Sequence, residues 1–579
     1  MMLRVLTEGL PVAVVPSTTG GGAPTDARSA ADGLRICDIT EDSRTVMPGS
    51  LFVARKGERA DGNAFIAAAV AAGASAVLSD NPAVRLPAGV DPGGRVLLLT
   101  SSSLPDSVAA MAERFFGNPS SRLAMIGITG TKGKTTCAYL TRQLLGAGGS
   151  KCGLIGTVCI DDGVEVAPAL LTTPPALELS RTIARMVDAG CTACVMETSS
   201  HALDQGRAAA LAYRVGVFTN LGHDHLDYHH TLEAYAGAKA RLFGMLPDAA
   251  LGGVAVVNAD DPWCETMLKG CRAGVVRCSM KSRPGAAAPP IDCSARIVSE
   301  SPAGTVIDVH APFTGDRSAQ VFLPLIGAHN VMNAVQAACA AFACGVDGRV
   351  IAEALTVVSA PPGRMEPVTG DDAPFAVYVD YAHTPDSLSA VLTVARRAVV
   401  AEGKGGRVLA LFGCGGDRDA TKRPRMGAAA AGLADVVFIS SDNPRTEDPV
   451  EIIRQIVAGV LSTQRAALRI EADRRAAIDA AVAECRAGDV LLIAGKGHED
   501  YQVLSDNAGG TRKIHFDDRE QAIAALRARD VAAAAFVPGC LIPPARHAQP
   551  HHATAVPGGG GPIRHTARPR PADPTGENR

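Results

Sequence analysis

The sequence predicts an α/β protein of the doubly wound kind, in which helices cover both faces of parallel sheets. Short apolar runs recur along the chain and end in glycine or in polar residues, as buried parallel strands commonly do. Segments with helical periodicity separate these runs, which favours βαβ units over an all-β architecture. The apolar runs lie at 123–128, 215–218, 408–412, 436–439 and 490–494.

Length and composition exclude a single small module and a largely disordered chain. The 579 residues would make three to four domains, at roughly 150 residues each. Hydrophobic residues make up 47% and charged residues 20%, a globular balance. Because the net charge is −3, no overall positive field favours nucleic acid or an anionic membrane, and we expect neither as a partner.

Cysteine usage predicts a reducing compartment. The fifteen cysteines are scattered without a repeating framework. The closest pair, Cys191 and Cys194, runs into an apolar stretch, where cysteine usually serves as a small buried hydrophobe rather than a redox centre. The N-terminus lacks the apolar core of a signal peptide, and no stretch resembles a membrane span. A cytoplasmic protein is therefore expected.

Clusters of turn residues at 118–121 and 360–363 predict domain boundaries. The expected units are 1–121, 122–361 and 362–535. The segment 536–579 is rich in proline and glycine and has almost no apolar periodicity, so we predict that it is disordered.

One helix can be predicted in detail, from Val450 to Leu461. Asp448 and Pro449 precede it as a cap and a first-turn proline. The pattern places six apolar residues on one face, which we expect to be buried: Val450, Ile453, Ile456, Val457, Val460 and Leu461.

A glycine-rich loop at 130–136 predicts an ATP site. It follows the strand that ends at Ile128 and precedes a helical pattern. Glycines let backbone N–H groups surround phosphates, Lys134 would neutralise the β- and γ-phosphates, and Thr135 could reach Mg²⁺. The strict P-loop pattern would need glycine at position 128, whereas this chain has its glycine at 127. A generic glycine turn is the alternative.

The loop variant Gly-Ile-Thr-Gly-Thr-Lys-Gly-Lys-Thr-Thr at 127–136 resembles the ATP loop of the Mur ligases, which form peptide bonds in peptidoglycan synthesis. Segments at 197–207, 219–229, 235–239 and 327–330 are similar to the rest of the family's central domain, in the same order. The resemblance implies a three-domain architecture with a P-loop central domain and a Rossmann-like C-terminal domain. It implies these ATP-binding residues: Gly130, Thr131, Lys132, Gly133, Lys134, Thr135, Thr136, Asn330, Arg364 and Asp380.

The same resemblance implies a magnesium site and a modified lysine. Its expected ligands are Thr135, Glu197, His225 and Lys239, the last as a carbamate (N6-carboxylysine) formed with CO₂. Without that modification, Lys239 would be a solvated charge on a helix. The expected catalytic residues are Lys134, Lys239, His225 and Arg364.

A binuclear-metal amidohydrolase would use some of the same residues. His223 and His225 follow a predicted strand, as metal ligands do at a barrel strand end. Such an enzyme has no use for the phosphate loop, which argues against it. A plain polar loop is the third possibility for this cluster.

In the first unit, segments at 42–44, 49–54 and 57–62 resemble the uridine-nucleotide domain of ligases that act on the later precursors. The resemblance implies contacts to a UDP-muramoyl-peptide from two sets of residues. They are Ser43, Glu58, Arg59 and Ala60 in the first unit, and Thr172, Thr173, Ser199, Gln205 and Arg207 in the second.

Three segments of the third unit follow predicted strand ends, where open α/β sheets bind ligands. A substrate with two ammonium and two carboxylate groups needs both signs of charge in its pocket, which suits meso-diaminopimelate. The expected pocket residues are Arg418, Asp442, Asn443, Pro444, Arg445, Gly495 and Glu499. A structural salt-bridge network among Arg418, Arg445, Asp442 and Glu499 is the alternative.

The resemblance therefore implies ATP-dependent addition of meso-diaminopimelate to UDP-N-acetylmuramoyl-L-Ala-D-Glu by way of an acyl phosphate. Mg²⁺ is the expected cofactor, ATP the co-substrate, and a monomer the expected state. Three other possibilities stay open: a lysine-adding ligase, a folylpolyglutamate-type synthetase and a non-catalytic nucleotide-binding protein.

Overall fold

The computed structural model describes residues 1–15, 32–57, 60–91, 94–281, 290–315, 317–370, 372–461, 466–506 and 509–534. The predicted disordered segment 536–579 lies outside these residues, as do Glu58 and Arg59. Three large sheets organise the described chain, and their order along the sequence follows the three expected units.

The first sheet has five strands in the order β1-β5-β4-β3-β2, and only β1 runs antiparallel to its neighbour. Its strands are β1 (Val12–Val14), β2 (Asp38–Thr40), β3 (Ser50–Ala54), β4 (Ala76–Ser79) and β5 (Leu97–Ser101). Its helices are α1 (Leu3–Thr7), α2 (Ile66–Ala71) and α3 (Leu104–Phe115), with a 3₁₀ turn at Gly62–Phe65. Strands β3 and β4 are buried along their whole length, as strands covered on both faces are.

The second sheet has eleven strands in the order β16-β15-β14-β13-β12-β11-β6-β10-β7-β8-β9. The strands are β6 (Ala124–Thr129), β7 (Cys152–Ile155), β8 (Cys159–Asp161), β9 (Val166–Pro168), β10 (Ala193–Glu197), β11 (Tyr213–Phe218), β12 (Val254–Asn258), β13 (Gly274–Ser279), β14 (Cys293–Ser301), β15 (Gly304–His310) and β16 (Ala319–Leu323). Strands β7, β10, β6, β11, β12, β13 and β14 are parallel, and the two strands at each edge run antiparallel to their neighbours.

Helices cover this sheet on both faces. They are α4 (Lys134–Ala147), α5 (Ala176–Asp188), α6 (Ser200–Asp204), α7 (Leu226–His229), α8 (Leu232–Gly244), α9 (Cys264–Met267), α10 (Ala328–Ala343) and α11 (Gly348–Leu355). Short 3₁₀ turns lie at Pro119–Arg122, Ala249–Leu251 and Pro312–Thr314. The chain leaves β6 and returns to the sheet on both sides of it, so the loop after β6 sits at a topological switch point, where such sheets bind ligands.

The third sheet has six strands in the order β17-β18-β22-β19-β20-β21 and is parallel except for β17. The strands are β17 (Glu366–Pro367), β18 (Ala376–Asp380), β19 (Val408–Phe412), β20 (Val436–Ile439), β21 (Ala467–Ile470) and β22 (Val490–Ala494). A separate hairpin pairs β23 (Tyr501–Ser505) with β24 (Thr511–His515). The helices are α12 (Pro385–Glu402), α13 (Lys422–Leu433), α14 (Pro449–Leu461), α15 (Arg474–Glu484) and α16 (Asp518–Ala528).

The predicted α/β class is confirmed, and all five apolar runs are strands. The central strands form an open sheet, which is not the closed barrel that the amidohydrolase alternative needs. Cys191 and Cys194 are buried and unpaired, as expected for small apolar side chains. Among the described helices, none is both long and apolar enough to cross a membrane.

Helix α14 begins where the sequence predicts, but its buried face is rotated from the predicted one. Val450 is 62% exposed, so its assignment to the core was wrong. Ile453, Ile456 and Val460 are buried, and Ile452 joins them. The centre of the buried face therefore lies near Ile456, and at about 100° per residue Val450 falls at its edge.

Candidate active site

The loop between β6 and α4 has the backbone conformation of a phosphate-binding turn. Gly130 has φ +151° and Gly133 has φ +83°, values that L side chains rarely adopt. A Cβ atom on Gly130 would lie 1.9 Å from Thr219 Oγ1, and one on Gly133 would lie 2.5 Å from Asn333 Oδ1. Both positions therefore require glycine. The loop leads into the N-terminus of α4, where backbone N–H groups favour an anion.

The segment after β11 holds this loop in place through hydrogen bonds. The Thr131 and Lys132 amides donate to Asn220 O and Oδ1 at 2.8 and 3.0 Å. Thr219 Oγ1 donates to Lys132 O at 2.7 Å. Asn220 thus holds the loop through its backbone and its side chain, a role that the sequence motif alone does not reveal.

Two lysines converge on one backbone oxygen. Lys134 Nζ donates to Gly130 O at 2.9 Å and to Thr131 O at 2.9 Å, and Lys239 Nζ donates to Gly130 O at 2.8 Å. Lys239 is 1% exposed, so the alternative of a solvated charge on α8 is wrong. Burial lowers the pKa of Lys134, and burial together with Lys134 lowers the pKa of Lys239 well below its usual range.

Glu197 ends β10 and is buried beside the loop. Its carboxylate accepts from Thr135 Oγ1 at 3.1 Å, from the Thr157 amide at 2.8 Å and from Thr157 Oγ1 at 3.1 Å. The structure thus brings together two of the expected metal ligands, Thr135 and Glu197. These are hard oxygen donors, which fit Mg²⁺. Thr157 lies outside the recognised motifs and is not among the residues expected from the sequence.

His225 sits at a left-handed position, with φ 52°, just before α7. Its ring nitrogen Nε2 lies 3.7 Å from Asp224 Oδ2, and its ring packs edge-on against His201 at 4.7 Å. Tyr235 links it to the buried lysine, because its ring lies 6.2 Å from the His225 ring and 4.4 Å from Lys239 Nζ. His225 is therefore linked to Lys239 indirectly, through Tyr235, and its side chain is half-exposed.

The substrate residues of the central unit form a chain of contacts that ends at Glu197. Arg207 Nη1 donates to Thr173 O at 2.9 Å, and its Nε donates to Gln205 Oε1 at 3.0 Å. Thr173 Oγ1 donates to Ser199 Oγ at 3.2 Å and to Glu197 O at 2.7 Å. Thr172 Oγ1 lies 3.0 Å from Thr157 Oγ1. All five expected residues, Thr172, Thr173, Ser199, Gln205 and Arg207, are thus brought together.

Two polar turns of the first unit carry the expected uridine-nucleotide residues. Ser43 is half-buried between Asp42 and Arg44, which form an ion pair at 2.7 Å. Ala60 is exposed, and its carbonyl accepts from the Gly57 amide at 2.9 Å. A cavity of about 10 Å³ lies between this unit and the central one, lined in part by Glu41, Arg55, Gln205 and Arg207. Of the expected substrate residues in the central unit, Gln205 and Arg207 therefore border the first unit.

Arg364 belongs to the third unit but lies close to the ATP loop. Its guanidinium stacks over the Tyr381 ring at 4.6 Å, and its charge helps to lower the pKa of Lys134. The buried Nε of Arg364 has no hydrogen-bond partner in the described chain. A buried donor without a partner is costly, so this atom is available to a ligand that accepts a hydrogen bond.

Two further expected ATP residues, Asp380 and Asn330, make hydrogen bonds to the backbone. Asp380 accepts from the Met365 amide at 2.8 Å and from the Ala382 amide at 2.7 Å, and so fixes the turn that presents Arg364. Burial raises the pKa of Asp380. Asn330, in the first turn of α10, donates to Ile326 O at 2.9 Å. Thr136 is buried in the first turn of α4.

The expected amino-acid pocket lies at the carboxyl ends of β19, β20 and β22. A Cβ atom on Gly415 would lie 2.9 Å from Arg445 Nη1 and 4.0 Å from Arg418 Cγ, so both arginines flank one glycine. A Cβ on Gly495 would lie 3.6 Å from Asp442 Oδ2. The absence of a side chain at Gly415 thus lets the Arg445 guanidinium lie close to the backbone, and groups of both charges lie beside the two glycines. Pro444 is buried. Arg445, the next residue, has a left-handed backbone conformation with φ 55°.

The charges in this pocket pair differently from the salt-bridge alternative. Within the described chain, no ion pair joins Arg418 or Arg445 to Asp442 or Glu499, so that alternative is wrong. Instead, the fully buried Lys496 lies 3.6 Å from Asp442 Oδ1 and 3.7 Å from Glu499 Oε2. Asn443 Nδ2 donates to Glu499 Oε2 at 3.0 Å. Lys496, absent from the expected set, sits at the centre of the pocket's polar network.

The pocket rests on a buried ion pair. Arg474 donates through Nε and Nη2 to the two oxygens of Asp518, both at 2.7 Å, and both side chains have 0% exposure. The same guanidinium donates to Ser441 O at 3.3 Å and to Ala494 O at 2.9 Å. These carbonyls directly precede Asp442 and Gly495, so the pair supports two walls of the pocket.

Models of three domains of one family match most of the chain. They are the Mur ligase family catalytic domain at residues 35–114, the Mur ligase middle domain at 128–341 and the Mur ligase glutamate ligase domain at 363–497. The chain belongs to the Mur ligase family. A curated relative from Synechococcus elongatus, named UDP-N-acetylmuramoyl-L-alanyl-D-glutamate–2,6-diaminopimelate ligase, is 43% identical over 87% of this chain and 96% of its own length. A relative of the same name from Geobacillus thermodenitrificans is 41% identical over 85% and 95%.

Solved structures place this Mur ligase beside others of its family. A structure described as that of a UDP-N-acetylmuramoyl-L-alanyl-D-glutamate–2,6-diaminopimelate ligase has a TM-score of 0.62 and 33% identity, covering 86% of this chain and 95% of its own. A MurF ligase from Thermotoga maritima in complex with ADP has a TM-score of 0.52 and 19% identity, covering 80% and 94%. The second likeness concerns the fold alone.

Proposed function

We propose that this Mur ligase adds meso-diaminopimelate to the D-glutamate of UDP-N-acetylmuramoyl-L-Ala-D-Glu, with cleavage of ATP to ADP and phosphate. The observation that carries the proposal is the pocket at the carboxyl edge of the third sheet. There Arg418 and Arg445 flank Gly415, while Asp442 lies beside Gly495. The names of the relatives that match over nearly their whole length point to the same amino acid.

In the first step, a γ-carboxylate oxygen of the D-glutamate attacks the γ-phosphorus of ATP, and ADP leaves. The loop at 130–133 and the N-terminus of α4 would hold the phosphates, and Lys134 would neutralise their charge. Arg364, whose Nε has no partner among the described residues, would add a donor on the side of the third unit. The product of this step is an acyl phosphate.

We propose that Thr135, Glu197, His225 and carbamoylated Lys239 hold Mg²⁺. When bound, Mg²⁺ would offset the negative charge of the phosphates and of the acceptor carboxylate. The contact of Thr135 with Glu197 and the buried position of Lys239 fit such a site. Burial lowers the pKa of Lys239, which increases the fraction of neutral amine that can react with CO₂. That amine would become a carbamate and release one proton. Incubation with ¹³CO₂ should give a carbamate ¹³C signal that Lys239→Met lacks.

In the second step, an amine of meso-diaminopimelate attacks the acyl carbon, a proton leaves the nitrogen, and phosphate departs. Asp442 and Glu499 would bind ammonium, and Arg418 and Arg445 would bind carboxylate. Burial raises the pKa of Glu499, whereas Lys496, 3.7 Å away, acts in the opposite direction. Because Lys496 already lies beside both carboxylates, an ammonium group of the substrate would share them with this lysine.

The test is ADP release by the purified chain with Mg²⁺, ATP and UDP-N-acetylmuramoyl-L-Ala-D-Glu, comparing meso-diaminopimelate with L-lysine. We expect turnover that depends on diaminopimelate, with mass spectrometry of the tripeptide product. Turnover with lysine alone would support the ligase reaction but contradict the proposal that the pocket binds diaminopimelate. Absence of dipeptide-dependent turnover in a folded, ADP-binding chain would favour a non-catalytic nucleotide-binding protein.

The proposal also covers the domain boundaries, the contacts to the uridine nucleotide, the oligomeric state and the location of the chain. We propose the boundaries 1–121, 122–361 and 362–535 for the nucleotide-substrate, ATP and amino-acid domains. Ser43, Glu58, Arg59 and Ala60 are proposed to contact the uridine nucleotide. We also propose that the chain acts as a monomer in the cytoplasm.

A further inference from the structure

Three cysteines outside the catalytic apparatus meet in the core of the central unit. Cys278 is near the end of β13, Cys293 begins β14, and Cys339 lies on α10. Their sulfur atoms all lie within 4.8 Å of one another, and the Cys278 and Cys339 sulfurs are 4.0 Å apart. In the described chain, no other set of three or more histidine, cysteine, aspartate or glutamate side chains clusters so closely.

The fold itself imposes this convergence. Cys278 and Cys293 are register partners on neighbouring parallel strands, so their side chains leave the sheet on the same face. Helix α10 packs across that face and supplies the third sulfur from 46 residues farther along the chain. All three residues are at most 3% exposed and lie in one apolar cluster.

The spacing of the sulfurs decides between two kinds of chemistry. A disulfide needs sulfurs about 2.05 Å apart, which would require a movement of roughly 2 Å in a packed core. Three thiolates around one zinc-sized ion, at a metal–sulfur distance of about 2.3 Å, have sulfurs about 3.8 to 4.0 Å apart. The observed triangle needs to contract by at most about 1 Å on its longest side to reach that arrangement.

We infer that Cys278, Cys293 and Cys339 form a structural site for a soft d¹⁰ cation, Zn²⁺ or Cu⁺, held by three sulfur ligands. Thiolates select such ions over Mg²⁺, which keeps this site chemically separate from the ATP site. Binding replaces S–H bonds by metal–sulfur bonds and releases the protons to solvent. The ion would tie α10 to β13 and β14.

The alternative is that these thiols are small apolar side chains, like the equally buried Cys194. Cys194 therefore provides the matched control. Cys339→Ala suits the test because alanines surround position 339 on α10 and alanine favours helix. Cys293→Ser is a second variant at a strand position.

The experiment titrates Cd²⁺ into the full-length chain, reduced and freed of metal by a chelator. Sulfur-to-cadmium charge-transfer absorption is followed in the ultraviolet, because Cd²⁺ bound to the oxygen ligands of the ATP site gives no such band. We expect saturation at one Cd²⁺ per chain, proton release, and a higher melting temperature. Cys194→Ala should behave like the parent chain, and Cys339→Ala and Cys293→Ser should lose the band.

Competition with Zn²⁺ and with Cu⁺ then identifies the ion that displaces Cd²⁺ more readily. The inference is overturned if the parent chain gives no one-equivalent band, or if the band survives in a folded Cys339→Ala or Cys293→Ser chain. Should both variants fail to fold, the parent decides: a melting temperature that does not change with Cd²⁺ or Zn²⁺ overturns the inference. None of these readouts depends on ligase activity.

Discussion

The ion pair between Arg474 and Asp518 offers a sharp test of how the amino-acid pocket is held. Asp518→Ala removes the only carboxylate that the described structure pairs with this guanidinium and leaves a positive charge in a site with 0% exposure. Leaving one member of a buried ion pair without its partner typically costs about 3–5 kcal/mol. For a unit of 150–250 residues, that corresponds to a fall in melting temperature of roughly 6 to 20 °C.

The substitution should also weaken amino-acid binding. Arg474 holds the carbonyls of Ser441 and Ala494, which position Asp442 and Gly495. An Asp518→Ala chain assayed below its melting temperature should therefore show a raised KM for meso-diaminopimelate and an unchanged KM for ATP. Differential scanning calorimetry and steady-state ADP release measure the two effects separately.

Glu451 provides the matched control. It pairs with Arg454 through two short contacts of 2.8 and 2.7 Å, but on the surface of α14. Because solvent screens exposed pairs, Glu451→Ala should leave the melting temperature close to that of the parent. The double replacement Arg474→Met with Asp518→Leu should recover most of the lost stability, since no charge is then left unpaired. If Asp518→Ala melts within about 1 °C of Glu451→Ala, the reasoning from burial is refuted.

Three other predictions follow from features of the fold. Gly130→Ala should abolish ADP binding measured by calorimetry, because its Cβ would lie 1.9 Å from Thr219 Oγ1, whereas Gly146→Ala, with open space around its Cβ, should bind ADP normally. Burial raises the pKa of Glu366 to about 7 from 4.5, so this carboxyl stabilises the fold fully below pH 4.5 and loses that contribution as the pH rises to about 7. The melting temperature of Glu366→Gln relative to the parent should therefore rise across that window, and a constant difference would contradict the assignment. On α14, Ile456→Ala should cost about 2–5 kcal/mol in denaturant unfolding, whereas Val450→Ser should be nearly neutral; equal losses would refute the observed helix face.

Much of the fold could be predicted because the buried parallel strands leave a strong local pattern. The runs at 408–412, 436–439 and 490–494 match β19, β20 and β22 residue for residue. The rotation of a helix about its own axis is less well encoded in the local sequence. Val450 fits the apolar pattern of α14, but packing against α13 and the sheet buries a face centred near Ile456, and the sequence pattern does not encode that rotation.

The residues of the candidate site likewise fall into those that the local sequence predicts and those that it does not. Glycines and lysine in the loop at 130–134 are recognisable because backbone conformation and phosphate charge demand those residue types. Thr157, Asn220 and Lys496 were missed because each acts through a partner that is distant in sequence. Glu58 and Arg59 stay predictions, since they lie outside the described residues.

The carbonyl oxygen of Gly130 has a consequence for engineering this enzyme. One backbone atom receives both the loop lysine and the lysine of α8. Replacing this phosphate loop with that of another ATPase therefore also changes the hydrogen-bond acceptor of Lys239, even when no residue of α8 is altered. A design that replaces the loop should therefore replace α8 together with it.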